Sequence, residues 1–425
     1  MQTEKRVPLE DLKAIVGNDN VREAVAEDAI EGVEASVVVE PGSTEEISSV
    51  MKLASAEGLA VSVRGGGTKT GWGAPPRDVD IILSTVRMNE IIEHVPGDQI
   101  VRVQSGVKLE FLQQKLAEAN QMIALDPPDK TAGATVGGVV AANSSGPRRL
   151  RYGTVRDLII GITVVLADGT IAKAGGKVVK NVAGYDLGKL FTGSMGTLGV
   201  IADANFRLHP RPESARTVAV EVETPQAAQE AAQTLVHSQV EATAVELHWS
   251  EEVKLVSALL ESIPGGIDAK EEAATFLLKT FGNVRTLDDE EAENLGPLAP
   301  SPVGGDDVDV KITAPPAELA SVLDSILDAA KRKSVAVRVT GHAGTGVTYA
   351  GFSGDEDAVV EVVEEVRGIR VRGGGGLVVR SAPVSFKGKV DPWGPAGDYL
   401  GLTRRVKEKF DPGYTMNPGR FIGGL

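Results

Sequence analysis

The chain contains no cysteine among its 425 residues. That excludes disulfides, thiolate-bound zinc, an iron–sulfur cluster held by this chain and any thiol nucleophile. Aromatic residues make up only 4%, so the core must be largely aliphatic. Basic residues are outnumbered, 44 Lys and Arg against 59 Asp and Glu, for a formal charge of −15. A nucleic-acid protein needs a basic face for phosphates, and none is evident. Long apolar runs are missing too. The longest aliphatic stretch, around Leu158–Ala167, is about half a membrane span. Residues Met1–Glu10 are polar and charged, with no apolar signal core. A cytoplasmic location is expected, with attachment to the inner face of a membrane only through partners.

Glycine is abundant instead, at 49 residues, about 12% against a usual ~7%. There is no collagen period and no low-complexity tract. Twenty-one of the glycines lie between Arg64 and Gly199, so they serve backbone geometry in a particular region.

Residues up to about Gly32 read as a polar helical segment. Ala35–Glu40 is a β-branched run closed by Pro41-Gly42, and Ser43 supplies an N-cap for a helix over Glu45–Glu57. Gly58 stops that helix, and Ala60–Arg64 is strand-like again. Short strands follow at Val79–Leu83 and Ile100–Val103, then a helix at Lys108–Ala119. Leu158–Leu166 and Thr170–Ala174 pair across Asp168-Gly169, a hairpin signal. Pro210 and Pro212 mark a boundary. Beyond it, strands at Thr217–Glu223, Thr243–Trp249, Val308–Thr313 and Ala336–Thr340 alternate with helices at Pro225–Ser238 and Glu318–Lys331. This alternation predicts an α+β layer with an antiparallel sheet. Thr286–Asp309 reads as a long exposed acidic loop, and the chain from Val384 onward as irregular.

Three glycine-rich stretches carry the chemistry. The first, Arg64–Gly73 (RGGGTKTGWG), follows a strand and allows successive N–H groups to form a concave anion nest. It is neither a Walker loop nor GxGxxG. The second, Pro127–Gly146, starts a small-residue helix at Gly137-Gly138, whose N-terminal dipole suits a diphosphate. The third, Gly184–Ile201, repeats glycine at Gly193, Gly196 and Gly199 beside Ser194 and Thr197. Three such loops beside strands suggest one extended, phosphate-bearing cofactor.

In order and spacing these stretches, with Arg151–Asp157, resemble the FAD-binding domain of the vanillyl-alcohol oxidase/PCMH flavoprotein superfamily over about residues 31–212. The end, Asn417-Pro-Gly-Arg-Phe421, resembles the C-terminal signature of that superfamily. The run Lys180–Ile201 is most similar to the glycolate oxidase FAD-subunit branch, related to D-2-hydroxyacid dehydrogenases. The resemblance implies an α+β, two-subdomain PCMH-type FAD domain over 31–212, after an N-terminal helical segment, 1–30. An α+β cap over 213–385 and a C-terminal segment, 386–425, returning to the FAD domain would follow.

It also implies roles for residues. Arg64, Gly65, Gly66, Gly67, Thr68 and Lys69 would face the FAD diphosphate. Pro127, Gly133, Ala134, Thr135, Gly137, Gly138, Asn143 and Gly146 would line the diphosphate, ribityl and isoalloxazine region. Gly196, Thr197 and Ile201 would lie near the adenosine and diphosphate, and Asn417 and Arg420 at the flavin end. Many relatives tether the flavin to a His just after the first glycines. This chain has Thr68 and Lys69 there, so non-covalent FAD is expected.

The metal-using branch of the superfamily carries a Gly–Asp–Gly–Asn run between two histidines and a later Glu-His pair. Here Gly341–Gly346 keeps one histidine, His342, and Tyr349 stands at the second position. No metal site is expected, which leaves His342 as a lone general base or a relic. Arg380 matches the arginine expected to hold a substrate carboxylate. The resulting expectation is an FAD-dependent 2-hydroxyacid dehydrogenase of glycolate or D-lactate type, moving hydride from C2 to flavin N5. It would work with a second flavoprotein subunit and an iron–sulfur subunit. The alternatives are a non-catalytic electron-relay or assembly subunit and, less favoured, a sugar or alditol oxidase.

Overall fold

The computed structural model describes residues 7–128, 132–176, 184–295 and 308–425. A small first sheet is built from β1 (Val21–Glu23), β2 (Val37–Val39), β3 (Val61–Arg64) and β4 (Ile81–Ser84), in the order β1-β2-β4-β3. The last three run parallel, because the helix Thr44–Glu57 carries the chain back between β2 and β3. Ser43 Oγ accepts the Glu46 N–H at 3.0 Å to start that helix, and Gly58, at φ +64°, ends it. The helix buries Ile47, Val50, Met51 and Ala54 against the sheet. The N-terminal segment is only partly helical. Leu9–Val16 is a helix, but Gly17, at φ +89°, breaks it, and β1 then pairs antiparallel with β2.

A second, antiparallel sheet follows: β5 (Ile91–Val95), β6 (Ile100–Gln104), β8 (Ile159–Val165), β9 (Ile171–Gly175) and β10 (Val200–Arg207), once the two-residue β7 (Gln121–Met122) is counted. Its order is β5-β6-β10-β8-β9, and β7 pairs separately with β11 (His209–Pro210). The β8–β9 hairpin turns through Gly169 at φ +81°, as Asp168-Gly169 predicts. β5 escapes the sequence reading because its pattern Ile91-Ile-Glu-His-Val95 sits half-buried at an edge. The end of β8 and the start of β10 also pack against the first sheet, through Val165, Ala167, Val200 and Ala202. The two sheets thereby form a single domain with a groove between them.

The second domain is an eight-stranded antiparallel sheet of β12 (Ser214–Glu221), β13 (Ala244–Trp249), β14 (Lys254–Ser262), β15 (Val284–Leu287), β16 (Val308–Thr313), β17 (Ala336–His342), β18 (Val347–Ser353) and β19 (Gly376–Ser381). The order is β15-β12-β14-β13-β17-β18-β16-β19. The helices Pro225–Val236, Pro264–Leu278, Leu319–Lys333 and Glu356–Arg372 share an aliphatic core with one sheet face. The segment read as an acidic loop contains β15 and the short helix Asp289–Asn294 before residues 296–307, which lie outside the described residues. Gly373–Gly376 forms the turn into β19. Gly374 has φ +81°, and a Cβ on Gly375 would lie 2.3 Å from the Thr313 carbonyl of β16.

The C-terminal segment is not irregular. It contains helices Val384–Lys389 and Leu400–Phe410. The second packs Val406 and Phe410 against the core of the second sheet, and its fully buried side chain is Lys407. Beyond it the chain returns to the first sheet. Val61 N–H donates to Thr415 O at 2.7 Å, and Asn417 N–H to Val61 O at 2.9 Å.

Candidate active site

The groove in the first domain is a cleft of about 830 Å³. Its walls come from the ends of β3, β4 and β6, the helix Val136–Ala142, and the Met195–Ile201 turn. Arg64, Gly65, Gly66, Gly67, Thr68, Lys69, Thr135, Gly137, Gly138, Gly196, Ile201, Asn417 and Arg420 all line it. Of the other expected cofactor residues, Pro127, Gly133, Ala134, Gly146 and Thr197 lie outside the lining. Gly146 packs instead on Asp126, whose carbonyl a Cβ would meet at 1.9 Å. Thr197 Oγ1 donates to Ser194 O at 2.7 Å. Asn143, in the left-handed conformation at φ +46°, lines a neighbouring cavity. Lys180–Ala183, part of the family-like run, lie outside the described residues.

The glycines are needed because loops abut. A Cβ on Gly66 would lie 2.0 Å from Gly133 O, and one on Gly137 would lie 2.6 Å from Ser105 Cβ. The first loop is held from behind. Arg420 Nη2 donates to Thr70 O and Trp72 O at 2.8 and 2.7 Å, and Trp393 Nε1 donates to Arg420 O at 2.8 Å. Lys387 bonds Gly71 O and Glu31. Asn417 Nδ2 donates to Met195 O at 2.9 Å, while its Oδ1 accepts from Ser62 Oγ at 2.6 Å.

The cleft walls thus combine close-packed glycine backbone with a few polar side chains. Among the described residues, the N–H groups of Gly66, Gly67 and Thr68 make no hydrogen bond to other backbone groups. Buried Ser105 Oγ, Ser194 Oγ and Arg420 Nη1 also lack partners. Buried polar atoms are rarely left unpaired, so this set marks a long polar ligand with anionic groups. An FAD molecule fits that description.

A smaller cavity, about 280 Å³, adjoins the cleft at Ala142 and is lined by Trp72, Asn143, Arg149, Lys311, Tyr349 and Arg380, among others. It lies between the first domain and the helix-free face of the large sheet. Side chains on that face come from successive strands: Glu246 on β13, His342 on β17, Tyr349 on β18, Asp309 and Lys311 on β16, and Arg380 on β19. Glu246 and His342 are directly cross-strand, as are Lys311 and Tyr349. β19 has a bulge opposite Asp309 and Val310, and Arg380 is the extra residue.

Arg380 is clamped. Its guanidinium lies 4.6 Å from the Trp72 ring centroid and 4.8 Å from that of Tyr349, and Nη2 is 3.2 Å from Asp309. Its Nε and Nη1 are buried without hydrogen-bond partners among the described residues. His342 Nδ1 is 2.9 Å from Glu246 Oε2, its ring packs edge-on to Tyr349, and its buried Nε2 has no partner. Burial holds His342 well below its ordinary value, and Arg149, Lys311 and Arg380 add to that effect. Burial raises Glu246 well above the carboxylate range, aided by Asp126 and opposed by Arg149. Burial raises Asp309 to about 6 against the pull of Arg380. It also lowers Lys311 to about 8, with Arg149 and Arg380 contributing.

The sequence reading identified His342 and Arg380 but missed Glu246, Lys311, Arg149 and Trp72. The readable signal was Val308-Asp-Val-Lys-Ile312, a buried-strand pattern with charges on alternate positions. Among the described residues, no three His, Asp or Glu side chains are grouped to hold a metal ion.

Residues 35–175 match the family model for an FAD-binding domain, and residues 211–311 match that for the C-terminal domain of FAD-linked oxidases. The chain belongs to the FAD-linked oxidoreductases built from these two domains. Its relatives include the D-lactate dehydrogenase of Archaeoglobus fulgidus, 29% identical over 92% of each chain. Glycolate oxidase subunit GlcD of Bacillus subtilis is 28% identical over 91% of this chain and 88% of its own. Bovine mitochondrial D-2-hydroxyglutarate dehydrogenase is 37% identical over 42% of this chain and 33% of its own. In fold the chain is similar to p-cresol methylhydroxylase, with a TM-score of 0.76, 18% identity and coverage of 97% and 95%. It is likewise similar to alkyldihydroxyacetonephosphate synthase, with a TM-score of 0.74, 18% identity and coverage of 98% and 86%. The architecture is the PCMH-type FAD domain with an α+β cap.

Proposed function

We propose that this chain oxidises a 2-hydroxy acid in the cavity between Arg380 and His342, using FAD held non-covalently in the adjoining cleft. Arg64–Lys69, Thr135, Gly137, Gly138, Gly196, Ile201, Asn417 and Arg420 are the residues that would hold the cofactor. Bound FAD supplies a hydride acceptor at N5. Arg380 keeps two donors, Nε and Nη1, free of partners among the described residues and so available to a carboxylate, and the Trp72–Tyr349 clamp fixes the plane of its guanidinium. In the tautomer with Nδ1 protonated, His342 donates to Glu246 Oε2 and keeps a lone pair on Nε2. That lone pair takes the hydroxyl proton as the C2 hydride departs. The C2–H and O–H bonds break, a carbonyl forms, and a 2-oxo acid leaves.

The observation that carries this reading is that buried polar atoms without partners among the described residues, Nε and Nη1 of Arg380 and Nε2 of His342, flank one Tyr349 ring beside the cleft. The curated relatives named for D-lactate, glycolate and D-2-hydroxyglutarate support the substrate class. A cysteine-free chain must pass electrons to another carrier, and a second flavoprotein with an iron–sulfur subunit fits that need. No helix among the described residues is long and apolar enough to cross a membrane. A cytoplasmic site, with membrane contact through partners, is consistent with this.

The test is anaerobic mixing of the FAD-loaded chain with glycolate and with D-lactate. Bleaching of the flavin absorbance by the chain alone supports the reading. Bleaching only after partner subunits are added places the oxidation elsewhere.

A further inference from the structure

The proposed reaction needs one cation for one carboxylate, yet three cations converge on this cavity. Arg149, Lys311 and Arg380 all line it. All three also bear electrostatically on His342. Arg380 has Asp309 at 3.2 Å, and Arg149 acts electrostatically on buried Glu246 without an ion pair to it among the described residues. Arg149 donates Nε to Gly146 O at 3.2 Å and Nη2 to Ser145 O, both neutral carbonyls. Those bonds fix its guanidinium at the mouth of the helix Val136–Ala142 without neutralising it. The influences on the Lys311 ammonium among the described residues are burial, Arg149 and Arg380, with no carboxylate among them. Lys311 projects from the middle of β16, opposite Tyr349, on the face that also carries Arg380.

A partly buried ammonium beside two guanidiniums is an unfavourable arrangement unless an anion joins it. Flanking strand residues show that nothing in folding requires a charge there. Val310 and Ile312 supply the core contacts of β16 from the opposite face. The surplus charge therefore belongs to the ligand. Resting on the hydroxyacid reading above, we infer that the substrate is a 2-hydroxy acid carrying a second carboxylate. Arg380 takes the carboxylate next to the hydroxyl carbon, and Lys311 with Arg149 takes the other.

Two measurements on the FAD-loaded protein test this. In the first, flavin reduction is followed with D-malate, D-2-hydroxyglutarate, D-lactate and glycolate. A dicarboxylate is expected to exceed D-lactate in kcat/KM by about tenfold to a hundredfold, the range of one charge-assisted contact. Lys311→Met should collapse that ratio, and Lys311→Arg should retain most of it. In the second, the flavin spectrum is titrated with glutarate and with butyrate, neither of which is oxidised. Glutarate is expected to bind at least about tenfold more tightly, and Lys311→Met should erase the difference.

Equal use of mono- and dicarboxylates, with flavin reduced by both, overturns the second-carboxylate site and leaves the hydroxyacid reading intact. Tighter glutarate binding that depends on Lys311, with no flavin reduction by any hydroxy acid, upholds the dianion site and overturns the oxidation. If Lys311→Met instead slows every substrate alike and shifts the flavin midpoint potential, the charge serves the cofactor, and the inference fails.

Discussion

Lys407 gives the sharpest test of how the C-terminal segment completes the cofactor cleft. Its side chain is 2% exposed, and Nζ donates to Thr197 O at 2.7 Å, Asp411 Oδ2 at 2.6 Å and Met416 O at 2.8 Å. Asp411, fully buried, also accepts the N–H groups of Thr415 and Met416 at 2.9 and 2.8 Å. One ammonium thus ties the third glycine loop to the residue preceding Asn417. Lys407→Met keeps the length of the side chain but removes all three donors. It strands a buried carboxylate and two carbonyls. Breaking one side of such a pair costs about 3–5 kcal/mol. The cost falls on docking of the segment, so the opening equilibrium of residues 411–420 should rise by at least about two orders of magnitude.

Amide hydrogen exchange reads this directly, because Asn417 N–H is bonded to Val61 O in the docked state. Its exchange should accelerate at least about a hundredfold, and FAD should bind more weakly, since Asn417 and Arg420 line the cleft. Adding Asp411→Asn to Lys407→Met should recover part of the loss by removing the stranded charge. Exchange at Asn417 unchanged within about threefold, a difference of well under 1 kcal/mol, would refute the argument.

The other predictions concern the loops and the dyad. Gly66→Ala should abolish FAD retention, because the 2.0 Å approach to Gly133 O requires two backbones to part; purification with stoichiometric flavin would contradict this. His342→Gln should slow flavin reduction about 10²–10⁴-fold. Glu246→Leu should slow it less, by loss of imidazole orientation, and rates equal to wild type would remove both from the mechanism. Because His342 is held well below 6.5, its base form persists as the medium is acidified, so reduction at saturating substrate should stay level from about pH 8 to about 6.5. An acid limb centred at or above 6.5 counts against it. Acid precipitation should release the yellow colour into the supernatant, and colour retained in the pellet would mean a covalent flavin.

Much of the cleft was legible because glycine advertises backbone contact. Gly65–Gly67, Gly137-Gly138 and Gly196 stand out wherever they occur, and all line the groove. The hairpin at Asp168-Gly169 and the helix capped by Ser43 were readable for the same local reason. What local pattern could not show is convergence. Glu246 and His342 are 96 residues apart and meet only through the β13–β17 register. Arg149 and Lys311 meet across a domain boundary. The helix Leu400–Phe410 was passed over because five of its eleven residues are charged and buried Lys407 shares its inward face with Val406 and Phe410. β1 was hidden by its length of three residues.

The alternation along the large sheet has an evolutionary consequence. Val245, Leu247, Val310, Ile312, Ala350, Phe352, Leu377 and Val379 point to the helices, while Lys311, Tyr349 and Arg380 line the cavity on the opposite face, which Glu246 and Asp309 share. Recognition and folding are thus written on opposite sides of the same strands. If the dicarboxylate inference holds, exchange of Lys311 for a neutral or acidic residue would change the acid accepted without repacking a core contact. Drift in substrate among proteins with this cap therefore requires only point substitutions at odd or even strand positions, with loops and topology left alone. Sequence identity over the whole chain is then a poor guide to substrate, and five or six residues on one sheet face are a good one.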